Sequence, residues 1–270
     1  LGSLINFCDC LMAGGTSPKN HSEVGSSYIH FNFTPSQDKA TASLIGDVPH
    51  GVMLNQPPIF LGGQGGMVGP LRLNYGTTVA AGTILRKDEL RPNRLIYGGA
   101  AKGGNIEFRP GRYSGASRII KNNLIYIGNL LALRQWYRET RSLFVGAEFP
   151  DALLEGLSRT ILRAIEERMR RLRELAVKME ERGDVTLSAA WSVLEEKLMR
   201  QRDYLGENRA RDLFKEIMAS KISREGKDYI VVLRALSVEE AGLGTTWLQG
   251  IVDEAVAEAS QAIQCYTGST

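Results

Sequence analysis

An aliphatic residue at every sixth position is the strongest constraint in this sequence. Leu61, Met67, Leu73, Val79 and Leu85 head the successive blocks LGGQGG, MVGPLR, LNYGTT, VAAGTI and LRKD. An amphipathic helix needs a period of 3.6 and a half-buried strand a period of 2, so six serves neither. It suits a parallel β-helix, whose coil has three short flat faces with one hexapeptide on each. The aliphatic then points inward and stacks on its equivalent in the next coil, while Gly and Thr fit the tight corners. Val24-Gly25 and Ile45-Gly46 read as block starts further upstream. The competing reading is a Gly-rich loop region with chance periodicity.

The periodic region belongs to a half that differs from the rest. Residues 1–117 hold 19 of the 29 glycines, with 10 Lys+Arg against 7 Asp+Glu, and are rich in Thr, Asn and β-branched residues. Residues 118–270 carry 23 basic and 23 acidic residues and are rich in Leu, Arg, Glu and Ala. Propensity assigns strands to the first half and helices to the second. The segment Tyr97–Ser117, with six glycines and one proline, reads as the connection. The expected organisation is therefore β-helix over 1–96, Gly-rich connection over 97–117 and helical domain over 118–270.

Composition removes several function classes. A chain of 270 residues, 43% apolar and 23% charged, is globular in balance. Its net charge of +3 supports no charge-driven nucleic-acid partner. No apolar run reaches the roughly 18 residues of a membrane span. The chain opens on Leu1 with no basic-then-apolar leader, which reads as a segment of a longer polypeptide without a signal peptide. Cys8 and Cys10 form a lone C-x-C pair and Cys265 stands apart, so no metal is expected and reduced thiols of a cytoplasmic protein are.

In the second half, helices are predicted from Ser117 to Phe144, from Pro150-Asp151 to Gly183, and from a Thr186 cap onward, with shorter ones over 210–222, 228–236 and 246–263. Leu154, Leu157, Ile161, Ile165, Met169, Leu172, Ala176 and Met179 make one apolar stripe. Arg168, Arg170, Arg171 and Arg173 alternate with glutamates, the pattern of a solvated, ion-paired face. Trp136, Trp191 and Trp247 fall on separate helices and read as core anchors.

Two segments carry a family resemblance. VGSSYIHFNFTPSQDKATASLIGD (Val24–Asp47) resembles the coil of bacterial hexapeptide acyltransferases that holds an Asn-Tyr pair, and NYGTTVAAGTILRKD (Asn74–Asp88) resembles their closing coils with the A-A-G-T motif. Over about residues 1–90 the chain is similar to the acetyltransferase half of bifunctional N-acetylglucosamine-1-phosphate uridyltransferase/glucosamine-1-phosphate acetyltransferase. The resemblance implies a left-handed parallel β-helix, a homotrimer, and acetyl-CoA as co-substrate between adjacent coils. It implies His21 as general base, Asn32 and Phe33 (in place of the tyrosine) at the substrate, and Ala81, Gly82, Thr83 and Lys87 at the CoA arm and phosphates. Asn6 and Cys8 stand where the family has an acidic residue and a lysine, and one coil is missing after His21.

The chain has three histidines. A histidine suits neutral-pH base work, and His30, on the same strand parity as Asn32, is the alternative base to His21. His50, between Pro49 and Gly51, reads as a turn residue. Two functions follow. One is acetyl transfer from acetyl-CoA to an amino sugar or sugar phosphate, with amides near Gly82 stabilising the oxyanion and a sugar phosphate or nucleotide sugar as partner. The other is a non-catalytic trimerising module of a sugar-phosphate nucleotidyltransferase whose catalytic domain lies outside this sequence.

Overall fold

The computed structural model describes residues 4–7, 9–30, 40–98, 115–203 and 206–267. Strand β1 (Leu4–Phe7) pairs antiparallel with β2 (Cys10–Ala13), and β3 (Gly15–Ser17) pairs antiparallel with β4 (Asn20–His21). Then come β5 (Glu23–Val24), β6 (Tyr28–His30), β7 (Ser43–Ile45), a one-turn helix α1 (Val48–Gly51), β8 (Phe60–Leu61), β9 (Gly66–Val68), β10 (Arg72–Leu73), β11 (Thr78–Val79), β12 (Ile84–Leu85) and β13 (Leu95–Ile96). They form three main sheets, β1-β2-β7-β10, β5-β8-β11-β13 and β6-β9-β12. Apart from β1 with β2, every pair in these sheets is parallel.

Helices take the rest: α2 (Ala116–Glu139), a 3₁₀ turn over Arg141–Phe144, α3 (Asp151–Glu180), α4 (Thr186–Asp203), α5 (Arg209–Glu225), α6 (Tyr229–Arg234) and α7 (Val238–Thr267). Pro150 precedes α3, and Gly183, at φ 90°, follows its end. Helix α2 packs on α7 and α3, α4 bridges α3 and α7, and α5 lies on α7. Gly128 lets α2 and α7 close up, since a Cβ there would sit 3.2 Å from the Val252 backbone. Trp136, Phe214 and Trp247 meet at centroid distances of 5.8–6.5 Å, and Trp191 is also buried.

The expected left-handed parallel β-helix followed by an α-helical region is overturned. Among the described residues the structure is 57% helical, its parallel sheets are short and no closed solenoid is shown, so the chain is α/β. The physical reason lies in strand parity. Met12, Ile45 and Leu73 point into a cluster shared with Leu61, Met67, Val79 and Leu85, so the six-spaced aliphatics do point inward. Leu11 and Leu44, on the opposite face of the same sheet, are also buried, but Leu11 lies beside α2 and α3 and Leu44 beside α2 and α7. A free-standing coil would expose that face to water; here helices cover it. The irregular stretch after Ile45 is α1, started by Asp47, whose carboxylate accepts the His50 N–H at 2.9 Å.

Polar contacts fix the helices to the sheets. Asn129 of α2 accepts the Val48 N–H at 2.8 Å. Asn123 donates to the Ala40 carbonyl at 3.0 Å, and Asn122 to the Pro70 carbonyl at 3.2 Å. Arg168 departs from the solvated face expected of its run. Arg170 and Arg171 pair with Glu167 and Glu174, but Arg168 turns inward, 6% exposed, to Asp9 at 2.6 Å. Asp9 also accepts from the Thr41 hydroxyl and, through its carbonyl, from the Ser43 N–H. Truncating one partner of a buried ion pair strands the other, so Arg168→Ala is expected to lose ~3–5 kcal/mol in urea unfolding. Asp9→Ala/Arg168→Met, which removes both charges, is expected to recover at least half of that loss; no recovery refutes the pairing as its source.

Candidate functional site

Among the described residues, His21 and the turn of Ala81, Gly82 and Thr83, expected to share an acetyl-transfer site, do not meet within one chain. His21 lies in β4, half-buried, with Nδ1 3.1 Å from the Ser22 carbonyl. It precedes β5, whereas Ala81, Gly82 and Thr83 follow β11, and β8 separates those two strands. Two strand spacings place them about 10 Å apart across the sheet, at opposite ends of its strands. Ala81, Gly82 and Lys87 are exposed and Thr83 is buried. Gly82, at φ 75°, has open space where a Cβ would be, so a substrate has access to this turn. Two of the amides expected to stabilise an oxyanion are engaged with backbone: the Gly82 N–H donates to the Gly63 carbonyl at 2.9 Å and the Thr83 N–H to the Ala80 carbonyl at 3.2 Å. Asn32, Phe33 and Cys8, like the side chains of His30 and Asn6, lie outside the described residues.

The structure instead builds a cluster around His50. Asp47 caps α1 and holds the His50 ring, Nδ1 to Oδ1, at 2.8 Å. Tyr75 fixes Asp47 from behind: its hydroxyl donates to the Asp47 carbonyl at 2.7 Å and accepts the Asp47 N–H at 2.9 Å. Gly46 and Gly51 make room, since a Cβ on either would press on the Tyr75 ring or hydroxyl. On the far side of α1, the Thr245 hydroxyl donates to the Pro49 carbonyl at 3.1 Å. No further hydrogen bond to the His50 ring is made among the described residues, and the side chain is 41% exposed. An imidazole with one nitrogen bound to a carboxylate and the other open is the arrangement of a positioned base.

Charge follows geometry. The hydrogen bond that the His50 ring donates to Asp47, more than the negative charge of Asp47, raises the His50 pKa above 6.5, against the lowering effect of burial. Burial, reinforced by Asp47, pushes the Tyr75 hydroxyl well above 10 and keeps it neutral. Beside the cluster, Gly46, Asp47, Arg72, Asn74, Asn129 and Gln249 line a cavity of about 190 Å³ between β7, β10, α2 and α7. Its polar groups are largely engaged: Arg72 forks onto Asp88 at 3.1–3.2 Å, and Gln249 donates to Asp253 at 2.8 Å.

Sequence reasoning passed over this cluster by reading His50 as a turn residue. The available signal was Asp47-Val48-Pro49-His50, a cap residue with a proline following and a histidine three positions on. Nothing local marks Tyr75 as its support, 28 residues away. Among the described residues, no group of three or more His, Cys, Asp and Glu side chains is placed to hold a metal ion. No helix there is long and apolar enough to cross a membrane. No family model matches the chain, and no curated protein or solved structure does either.

Because His50 titrates above its unfolded value, its pair with Asp47 stabilises the fold fully below pH 6.5, and that stability is lost as pH rises through the folded pKa. The melting-temperature difference between the unmodified protein and His50→Gln is expected to be largest below pH 6.5 and to shrink above it. Asp47→Asn is expected to lower the midpoint of the His50 NMR titration, since only the lowering effect of burial is left. An unmoved midpoint in Asp47→Asn would remove the carboxylate as the cause.

Proposed function

We propose that the chain is an acyl-group transferase that moves an acetyl group from acetyl-CoA to the amine of an amino sugar or sugar phosphate, with His50 as its base. The observation that carries this reading is the His50 ring, open on one side and held by Asp47 at 2.8 Å. His50 takes a proton from the substrate ammonium. The freed amine attacks the thioester carbonyl, the carbon–sulfur bond breaks, and the thiolate leaves with the second nitrogen proton. The resemblance of Asn74–Asp88 to the closing coils of hexapeptide acyltransferases supports the donor, and exposed Lys87 suits its phosphates. A cytoplasmic setting, which keeps thiols reduced, is part of the same reading.

Glucosamine 1-phosphate and acetyl-CoA, followed by thiol release, test the reading. His50→Ala is expected to lower turnover 10²–10⁴-fold, the usual contribution of a positioned base, with His21→Ala nearly silent. The reverse pattern would return the base to His21, and full activity in both variants would end the histidine mechanism.

A second reading, a non-catalytic module of a sugar-phosphate nucleotidyltransferase, is favoured by the engaged Gly82 and Thr83 amides and by the remoteness of His21 from them. Absence of acetyl-CoA binding in calorimetry would select it. Both readings propose a homotrimer. Phe60 and Leu95, which share the outward row of one sheet, are 42% and 63% exposed, and Tyr28 and Tyr97 are 49% and 77% exposed. Association covers such apolar surface. Sedimentation is expected to give three times the 29.7 kDa chain mass, and a monomer at micromolar concentration refutes the trimer.

A further inference from the structure

A second cavity lies at the far end of α2, between its last turns and the start of α3. It encloses about 500 Å³, within the range of small-ligand sites. Three guanidinium groups line it: Arg134 and Arg138 from α2, and Arg159 from α3. Against them stands one carboxylate, Glu155. Glu155 and Arg159 are four residues apart in the order that favours an ion pair. Even so, neither makes an ion pair or a side-chain hydrogen bond among the described residues, although three turns later Arg170 and Arg171 are fully paired. Arg134 is held in place through the Arg202 carbonyl at 3.1 Å, and Arg138 through Glu139 and Gln135 at 2.9 and 2.6 Å. Two of the three cations are thus pre-positioned, and the third is left without a protein partner.

The remaining wall is apolar and aromatic. Tyr137, Leu154 and Leu162 contribute side chains, and burial raises the Tyr137 hydroxyl above its usual 10, so its ring stays neutral. Leu154 belongs to the apolar stripe of α3 but is only half-buried, in contrast to Ile161 and Ile165 further along. Leu154, the first member of that stripe, therefore faces this cavity, while Leu157 already turns towards Leu11, Leu130 and Leu133. Glu139, which pairs with Arg138, is shared with Lys215 at 2.7 Å, so four positive charges against two negative leave about +2 here, which complements the −1.5 to −2 of a phosphate monoester. A guanidinium fork matches phosphate oxygens, while the ring and leucines suit an apolar or aromatic body.

We propose that this cavity binds an organic phosphate of nucleotide size, its phosphate on Arg134, Arg138 and Arg159 and its body against Tyr137, Leu154 and Leu162. The site shares no residue with the His50 cluster, so the acyl-transfer reading and this one stand or fall separately. The test is calorimetric titration of the full chain with AMP, inorganic phosphate and adenosine at low and high salt. AMP is expected to bind more tightly than either fragment, with affinity falling as salt rises. Arg159→Gln is expected to weaken AMP at least tenfold and Glu155→Gln to strengthen it severalfold, while Arg163→Gln, on the same helix but outside the cavity, leaves it unchanged. Arg159 is exposed, and circular dichroism checks that its variant keeps the fold. Absence of AMP binding, binding that Arg159→Gln leaves intact, or inorganic phosphate binding as tightly as AMP would each overturn the proposal.

Discussion

Three asparagines on one helix hold this molecule together. Asn122, Asn123 and Asn129 are each at most 2% exposed, on a helix whose other buried side chains are mostly apolar. A buried carboxamide costs stability unless it is hydrogen-bonded. Here each bonds backbone that no strand partner reaches: the Pro70 and Ala40 carbonyls and the Val48 N–H. The strand ladders do not reach these three groups, and an unpaired buried group costs about 1–3 kcal/mol. Helix α2 supplies those partners, so the strands depend on the helix for hydrogen bonding as well as for burial.

That dependence explains why the sheet carrying β2 and β7 has two apolar faces. Met12 and Ile45 point to the interior between the sheets, while Leu11 and Leu44 point to the helices. Alternation with both faces buried belongs to sheets covered by helices. Asp9 and Arg168 add a charged tie, on the same side of the molecule as Leu11. The pair is weak evidence for stability in its own right. It does fix which face of α3 meets the β1–β2 turn, because an unpaired Arg168 in that position would be strongly unfavourable.

The helices and the inward residues were legible in the sequence; the architecture and the site were not. Ile161, Ile165, Met169, Leu172, Ala176 and Met179 are buried as their spacing requires, because period 3.6 reports a helix face directly. Leu61, Met67, Leu73, Val79 and Leu85 are all buried too. A period of six says which side chains point inward but nothing about what covers the outer face. The Asn122-Asn123 pair carries no apolar signal, so its burial was invisible. Arg168 was hidden for the same reason, since a charged run looks alike whether one member turns inward or none does. His50 was missed because Tyr75, which fixes its partner Asp47, comes from the turn after β10. The turn that carries it is local, but the support that makes it more than a turn is not.

The His50 cluster draws on the same dependence. A one-turn helix has no stability of its own, and α1 persists because it is held at both ends. Asn129 and Asp47 satisfy its first N–H groups, and Thr245 of α7 takes the Pro49 carbonyl. Tyr75 is rigid because Gly14, Gly46 and Gly51 let its ring pack without a Cβ in the way. Asp47 is consequently fixed by backbone and side-chain bonds together, and it fixes the imidazole in turn. An exposed histidine on a free turn would sample several rotamers. This one is oriented by contacts from β10's following turn, from α2 and from α7, so a change in how the helices sit on the sheet alters the direction in which its open nitrogen points.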